Sequence, residues 1–189
     1  MLMLGIDPGL QCTGWGVVRL DANKLTHIAH GQLRTTQGRS DAERLNEIHD
    51  GLAEVIATYQ PDASAIEAIF VAKGALSAIK LGMARGVAMQ TCADAGLPMA
   101  EIAARQVKKA VTGTGTADKN QIQAMIARLL NITPKGADAA DALAIAIAAA
   151  NSGGAASASK SVRGRIRTGV GLEAAIAAAL EKDTSGGPR

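Results

Sequence analysis

An apolar run that ends on an acidic residue opens the chain and constrains its fold more than any other feature. Residues 1–6 are apolar, Asp7 follows them, and Pro8 cannot donate a hydrogen bond to a sheet. We therefore expect a buried strand that stops at Asp7. Gly5 and Gly9 flank the acid, and a glycine in a strand often marks the close approach of a ligand or another backbone. Because Asp-Pro-Gly also forms ordinary turns, this run alone assigns no role to Asp7.

The first 68 residues have the pattern of three strands, a helix and a fourth strand. Short polar turns separate the three strands, which predicts an antiparallel meander. The capping-box spacing of Ser40 and Glu43 predicts the start of a helix. A strand reached through a helical crossover tends to lie parallel to a neighbour. If that neighbour is the first strand, Asp7 and Glu67 lie at the same edge of the sheet. The predicted strands are Leu2–Asp7, Gly14–Leu20, Leu25–Thr35 and Ala63–Ala68.

The remainder of the chain is mainly helical up to residue 152. Gly82 and Gly86 recur at helical spacing in the first of these helices and would let another helix approach closely. After residue 152 a linker rich in Ser, Gly and Ala leads into a basic tail. We predict one α/β domain over residues 1–152, a five-stranded mixed sheet flanked by helices, and a flexible tail over 153–189. The later elements are a helix at Ala75–Asp94, a strand at Leu97–Ile102 and helices at Arg105–Val111, Gln121–Leu130 and Gly136–Ala150.

Composition and charge indicate a reduced cytosolic setting and a polyanionic partner. Cys12 and Cys92 stand far apart in no metal or redox pattern. We expect no signal peptide and no membrane segment, because the longest apolar run, Ala142–Ala150, is far shorter than the ~20 residues that span a bilayer. The net charge is +3, and the stretch 73–119 carries seven basic and three acidic residues. That local excess favours a polyanion such as a nucleic acid.

Two further acids stand near the start of the last predicted helix. Asp138 and Asp141 are three residues apart and share a helix face. Acids here can simply favour the helix dipole, and for this pair alone that is the default interpretation. The following residues, 142–150, carry no polar side chain, so we expect the helix to be buried all round. With Asp7 and Glu67, the pair brings the number of carboxylates at element ends to four.

Four carboxylates in one pocket repel one another, and divalent cations would relieve that repulsion. Oxygen ligands without cysteine or histidine suit Mg²⁺ or Mn²⁺ rather than zinc. A pair of such ions can bind the attacking and leaving oxygens of a phosphoryl transfer. His27, His30 and His49 show no ligand spacing, and we expect them on the surface or in the sheet.

Seven blocks, in one order between Leu4 and about Ala150, resemble a known family. They are Gly5-Ile6-Asp7-Pro8-Gly9, Ala65-Ile66-Glu67, Phe70-Val71-Ala72-Lys73, Lys80-Leu81-Gly82, Ala84-Arg85-Gly86-Val87-Ala88, Ala103-Ala104-Arg105-Gln106-Val107-Lys108 and Ala137-Asp138-Ala139-Ala140-Asp141-Ala142-Leu143-Ala144-Ile145-Ala146. The chain thereby resembles the RuvC family of bacterial Holliday junction resolvases. The resemblance implies a ribonuclease H-like fold, a homodimer and paired nicking of four-way DNA junctions in recombination and repair. It also implies a cytoplasmic location and partnership with the RuvA–RuvB branch-migration complex.

The resemblance also assigns roles to individual residues. The implied catalytic metal ligands, for two Mg²⁺ ions per active site with Mn²⁺ as a substitute, are Asp7, Glu67, Asp138 and Asp141. The implied DNA contacts are Phe70, Lys73, Lys80, Arg85, Lys108 and Lys119. Among these, Lys108 and Lys119 would lie near the scissile phosphate, and Phe70 would contact a base.

Two other functions stay open at this point. A non-catalytic junction binder could use the same fold, although acids facing phosphates would bring it no advantage. A sugar-kinase or actin-like ATPase also opens with a strand that ends in Gly-Ile-Asp. Such ATPases need two domains and a second glycine-rich phosphate loop, and the run 112–116 lacks the Gly-x-x-x-x-Gly-Lys pattern.

Overall fold

The computed structural model describes residues 1–68 and 74–152. Within these ranges the predicted elements are confirmed in type and order, and their ends differ from the prediction by no more than two residues. The predicted flexible tail, 153–189, lies outside the described residues. The elements are β1 Leu2–Asp7, β2 Cys12–Asp21, β3 Lys24–Arg34, α1 Asp41–Tyr59, β4 Ala63–Glu67, α2 Ala75–Asp94, β5 Met99–Ile102, α3 Ala104–Thr112, α4 Lys119–Leu130 and α5 Ala137–Asn151.

The five strands form one mixed sheet in the order β3-β2-β1-β4-β5. The first three strands pair antiparallel, which confirms the predicted meander. β4 reaches the sheet through α1 and pairs parallel to β1, with Ile6 opposite Ile66. The next residues, Asp7 and Glu67, therefore end neighbouring strands at the same edge, as expected for parallel strands joined by a helical crossover. β5 continues the parallel half of the sheet beside β4.

Helices cover both faces of the sheet and create two apolar layers. On one face α1 and α2 pack on Leu4, Ile6 and Val17 of the first two strands. On the other face α5, with α3 and α4 beside it, covers Met3 and Val18. Every residue of α5 from 142 to 150 is buried, which confirms the prediction from its apolar composition. Across 1–68 and 74–152, no helix has the length and apolar character that a membrane span requires.

Glycines allow α5 to lie directly on the β1–β2 hairpin. A Cβ atom added at Gly5 would lie 2.1 Å from the carbonyl oxygen of Ala142. One added at Gly14 would lie 2.0 Å from the carbonyl oxygen of Asp138. Since neither contact could be tolerated, larger residues here would push the helix away from the sheet. Close packing at these glycines sets the first turns of α5 beside the end of β1.

Candidate active site

Three elements bring the predicted acids to one edge of the sheet. Asp7 and Glu67 end β1 and β4, and Asp138 and Asp141 lie near the start of α5. Burial raises the pKa of Asp7 to about 7, and the other three carboxylates add to the increase while Lys119 opposes it. Asp7 and Glu67 end paired parallel strands, and the backbone of Asp138 lies against Gly14, the residue paired with Asp7. The chain therefore forms a single acidic cluster at the position that the strand ends predicted.

A cavity of about 210 Å³ opens beside Glu67 and Asp141 and is also lined by Lys108 and Lys119. Burial raises the pKa of Glu67, and Asp141 adds to this increase while Lys108 opposes it. Lys119 Nζ donates to Asp141 Oδ2 at 2.9 Å, and that bond is the main cause that raises the pKa of Lys119. Carboxylates and ammonium groups thus share one cavity. Such a cavity can accept a phosphate group and a cation together.

Asp138 lies at a second cleft, of about 500 Å³, which Arg44 and Lys80 also line. Gln32 Nε2 donates to Asp138 Oδ2 at 2.7 Å, and Gln32 Oε1 accepts from Arg34 at 2.9 Å. The side chain of Lys80 is half-exposed. The acidic cluster is therefore bordered by an open cleft on each side, and each cleft carries basic residues.

Arg85 differs from the other predicted DNA contacts. Its side chain is buried, and its guanidinium donates to the backbone carbonyl oxygen of Glu67 and to Oε2 of Glu101. It therefore offers no free positive charge at the surface. A DNA contact by Arg85 stays a prediction, and the geometry favours a role beneath Glu67.

The remaining predicted contacts and two unpredicted residues complete the site. Phe70 and Lys73 fall within residues 69–73, outside the described residues, so their roles stay predictions. Sequence reasoning missed Gln32 and Glu101, which bind Asp138 and Arg85. No spacing signal marks either one, because each meets its partner only when separate elements pack together.

The histidines and Cys12 do not contribute ligands to the cluster. His27 and His30 both lie in β3, and Nε2 of His27 is 2.8 Å from Nδ1 of His30. The other ring nitrogen of His30, Nε2, accepts from the backbone N–H of Lys135. Burial and the neighbouring carboxylate of Asp138 raise the pKa of the Cys12 thiol to about 11. A thiol with that pKa stays protonated at neutral pH in the metal-free protein. The available donors are therefore carboxylate oxygens.

The donor set fits a hard divalent cation, although the side chains do not form a closed cage. Among residues 1–68 and 74–152, no three acidic, histidine or cysteine side chains lie close enough to hold an ion as they stand. Asp138 and Asp141 are engaged by Gln32 and Lys119. Burial and the three neighbouring carboxylates together raise the pKa of Asp7, and Lys119 opposes them only in part. Oxygen donors with excess negative charge are typical of Mg²⁺ and Mn²⁺ sites.

Sequence comparisons relate the chain to one family. The family profile described as crossover junction endodeoxyribonuclease RuvC matches residues 3–149. The crossover junction endodeoxyribonuclease RuvC of Zymomonas mobilis subsp. mobilis is 51% identical over 145 residues, which cover 76% of this chain and 87% of that protein. The protein of the same description from Erythrobacter litoralis is 50% identical over 144 residues, covering 76% of this chain and 88% of its own.

Solved structures show the same relationship. RuvC of T. thermophilus in complex with Holliday junction substrate aligns with a TM-score of 0.75 at 33% identity, covering 79% of this chain and 93% of that one. The yeast mitochondrial Holliday junction resolvase aligns with a TM-score of 0.56 at 10% identity, covering 81% of this chain and 80% of that one. The second likeness is one of fold alone.

Proposed function

Because the chain belongs to the RuvC family of crossover junction endodeoxyribonucleases, we propose that it resolves four-way DNA junctions by paired, symmetric nicks. The observation that carries this proposal is the acidic cluster at the sheet edge, with a lysine-lined cavity beside it. A protein that only binds DNA gains nothing from acids that repel phosphates. A nuclease needs them to hold cations at the scissile phosphate.

We propose that Asp7, Glu67, Asp138 and Asp141 hold two Mg²⁺ ions, with Mn²⁺ as a substitute. When bound, such ions activate a water molecule and stabilise the leaving oxygen. Asp7 has to be ionised to act as a ligand, and its pKa of about 7 means that a cation competes with a proton there at neutral pH. Metal binding should therefore strengthen as the pH rises through about 7.

The two lysines of the cavity would act on the phosphate itself. Lys119 is held 2.9 Å from Asp141, and Lys108 lines the same cavity from α3. Positive groups fixed where negative charge develops lower the barrier without reorganising during the reaction. We infer that Lys108 and Lys119 stabilise the charge on the phosphate during cleavage, and that Lys80 contacts DNA from the second cleft.

A homodimer is part of the proposal, and α2 offers its surface. Leu76, Ile79 and Met89 are 76%, 58% and 37% exposed along this helix. Gly82 and Gly86 lie among them, and a Cβ atom added at either would meet nothing within 4 Å. The open space argues against the alternative that these glycines fit the helix to its own sheet. An exposed apolar stripe with small residues suits a second copy of the chain.

The symmetry of the substrate explains why a dimer would be needed. A four-way junction has near two-fold symmetry, and its resolution takes two nicks in strands of like polarity. A dimer holds both active sites on one junction, which makes the second cut effectively intramolecular. From the family resemblance we also propose a cytoplasmic location and action together with the RuvA–RuvB branch-migration complex.

The deciding experiment compares a synthetic four-way junction with a linear duplex of the same sequence, each with Mg²⁺. We expect cuts at symmetric positions in the junction and little cutting of the duplex. A supercoiled plasmid with a cruciform should become linear without accumulating nicked circles. Binding of the junction with no cleavage in Mg²⁺ or Mn²⁺ would favour the non-catalytic binder. Equal cutting of both substrates would contradict junction selectivity.

A further inference from the structure

Arg85 is the one charged side chain that is buried among the described residues. It lies on the face of α2 that packs on the sheet, next to Gly86 on the exposed face. Its guanidinium joins two neighbouring strands, because it donates to the backbone carbonyl oxygen of Glu67 at the end of β4 and to Glu101 Oε2 in β5 at 2.5 Å. The bond to Glu67 therefore falls on the residue whose carboxylate belongs to the acidic cluster.

Stability alone does not explain a buried guanidinium at this position. Removing a charged group from water is costly, and apolar residues of similar volume often replace buried ion pairs without loss of stability. The partner carboxylate of Glu101 is 54% exposed and would be hydrated without Arg85. Arginine does have a planar fork that can bind two acceptors in fixed directions, which lysine cannot reproduce. That geometry suits a residue that fixes the position of another.

We propose that Arg85 is a positioning residue for Glu67, and through it for the metal site. Glu67 is the last residue of β4, and the backbone of Ala68 donates to Ile102 O at 2.8 Å. Arg85 binds the carbonyl of Glu67 from α2, so the strand end is held from the helix as well as from β5. A fixed backbone at Glu67 limits the directions that its carboxylate can take toward a cation. The inference rests on the proposed metal site and extends it by one residue.

The test measures Mn²⁺ binding to the DNA-free protein by titration calorimetry, in wild type and in Arg85→Met. Methionine fills a similar volume but cannot bind the carbonyl oxygen. Groups that orient metal ligands from outside the metal shell typically change metal affinity or activity by ~10–100-fold. We expect a loss of Mn²⁺ affinity in that range, and junction binding in EDTA equal to that of wild type. Sedimentation should give the same oligomeric state for both proteins.

Two matched variants separate positioning from general stability. Glu101→Gln keeps the bond between Arg85 and Glu67, and we expect its Mn²⁺ affinity to stay near that of wild type. Thr91→Val changes another buried polar residue of α2, whose hydroxyl donates to Val87 O at 2.8 Å. It should lower the Tm and leave Mn²⁺ affinity unchanged.

The following results would overturn the inference or its premise. Unchanged Mn²⁺ affinity in Arg85→Met would overturn it, and weaker junction binding in EDTA with that affinity unchanged would make Arg85 a DNA contact. If Arg85→Met shows no cooperative melt, Arg85→Lys decides, because it keeps the charge and loses the fork. Wild-type Mn²⁺ affinity in Arg85→Lys would then refute positioning. Failure of wild type itself to bind Mn²⁺ would refute the proposed metal site.

Discussion

Replacing Asp7 by Asn should stabilise the metal-free protein and abolish its response to metal. The substitution keeps the shape of the side chain and deletes a charge that burial and three neighbouring carboxylates disfavour. In the folded protein the pKa of Asp7 is about 7, against an ordinary value of 3.8. The folded protein therefore keeps this proton over a pH range in which the unfolded chain releases it.

Proton linkage gives the sign and the size of the effect. Below about pH 4 the residue is protonated in both states, so the substitution should change little. Between about pH 4 and pH 7 the unfolded chain loses the proton first, and wild-type stability falls as the pH rises. Three pKa units at 1.36 kcal/mol each correspond to a full penalty of about 4 kcal/mol above that range. Since Asp7 is only partly buried, solvent screening should reduce the gain to roughly 2 kcal/mol.

Thermal melts at about pH 4 and about pH 8 in EDTA measure this gain. For a chain of this size roughly 2 kcal/mol corresponds to a Tm increase of about 4–8 °C, which should appear only at the higher pH. Mg²⁺ should raise the Tm of wild type, because it binds the folded state, and leave Asp7→Asn unchanged. Asp50→Asn is the control, because Asp50 is 79% exposed and lies outside the cluster.

The same variant tests the mechanism. Asp7→Asn should lose junction cleavage and keep, or slightly strengthen, junction binding, since a charge that faces phosphates is removed. The reasoning fails if Asp7→Asn is no more stable than wild type at about pH 8, or if it is stabilised equally at both pH values. Cleavage at more than a few per cent of the wild-type rate would remove Asp7 from the centre of the site.

Four further predictions address the other parts of the proposal. Lys119→Ala should lower single-turnover cleavage by about 100-fold and reduce the salt slope of junction binding by about one; wild-type cleavage would exclude the lysine from the site. Gly86→Leu should give a folded monomer in sedimentation, because open space surrounds Gly86 and leucine favours helix; a normal dimer would contradict the proposed surface. Phe70→Ala should weaken junction binding by ~1–3 kcal/mol at an unchanged Tm if the ring stacks on a base, whereas a loss of ~3–5 kcal/mol of stability would place it in the core. Truncation after Ser152 should preserve fold and cleavage and make the salt dependence of junction binding shallower; an insoluble product would contradict the domain boundary.

Local sequence patterns were sufficient to predict the helices and strands and to place the four acids at or near their ends. The apolar run before Asp7 predicted β1, and the apolar composition of residues 142–150 predicted a helix buried all round. Ser40 and Glu43 predicted the start of α1, where both bonds of the capping box form. These features depend on residues that are close together along the chain, so the sequence alone is enough to predict them.

A general rule of strand connection also predicted that the acids at the strand ends lie close together. A helix between two strands predicts parallel pairing, and parallel strands carry their last residues to one edge. Asp7 and Glu67 follow from that rule once β4 lies beside β1. Asp138 and Asp141 join them because Gly5 and the small residues of α5 let the helix touch the sheet.

Only the tertiary structure decided which polar groups meet. Arg85 lies in the basic stretch 73–119, and the family resemblance implied a DNA contact for it. Packing of α2 buries its side chain against the ends of β4 and β5. Gln32 and Asp138 are 106 residues apart and share a hydrogen bond. Spacing along the chain determines which side chains share a face of one helix or strand. It does not determine which side chain of another element a residue contacts, because that contact depends on how the helices pack on the twisted sheet.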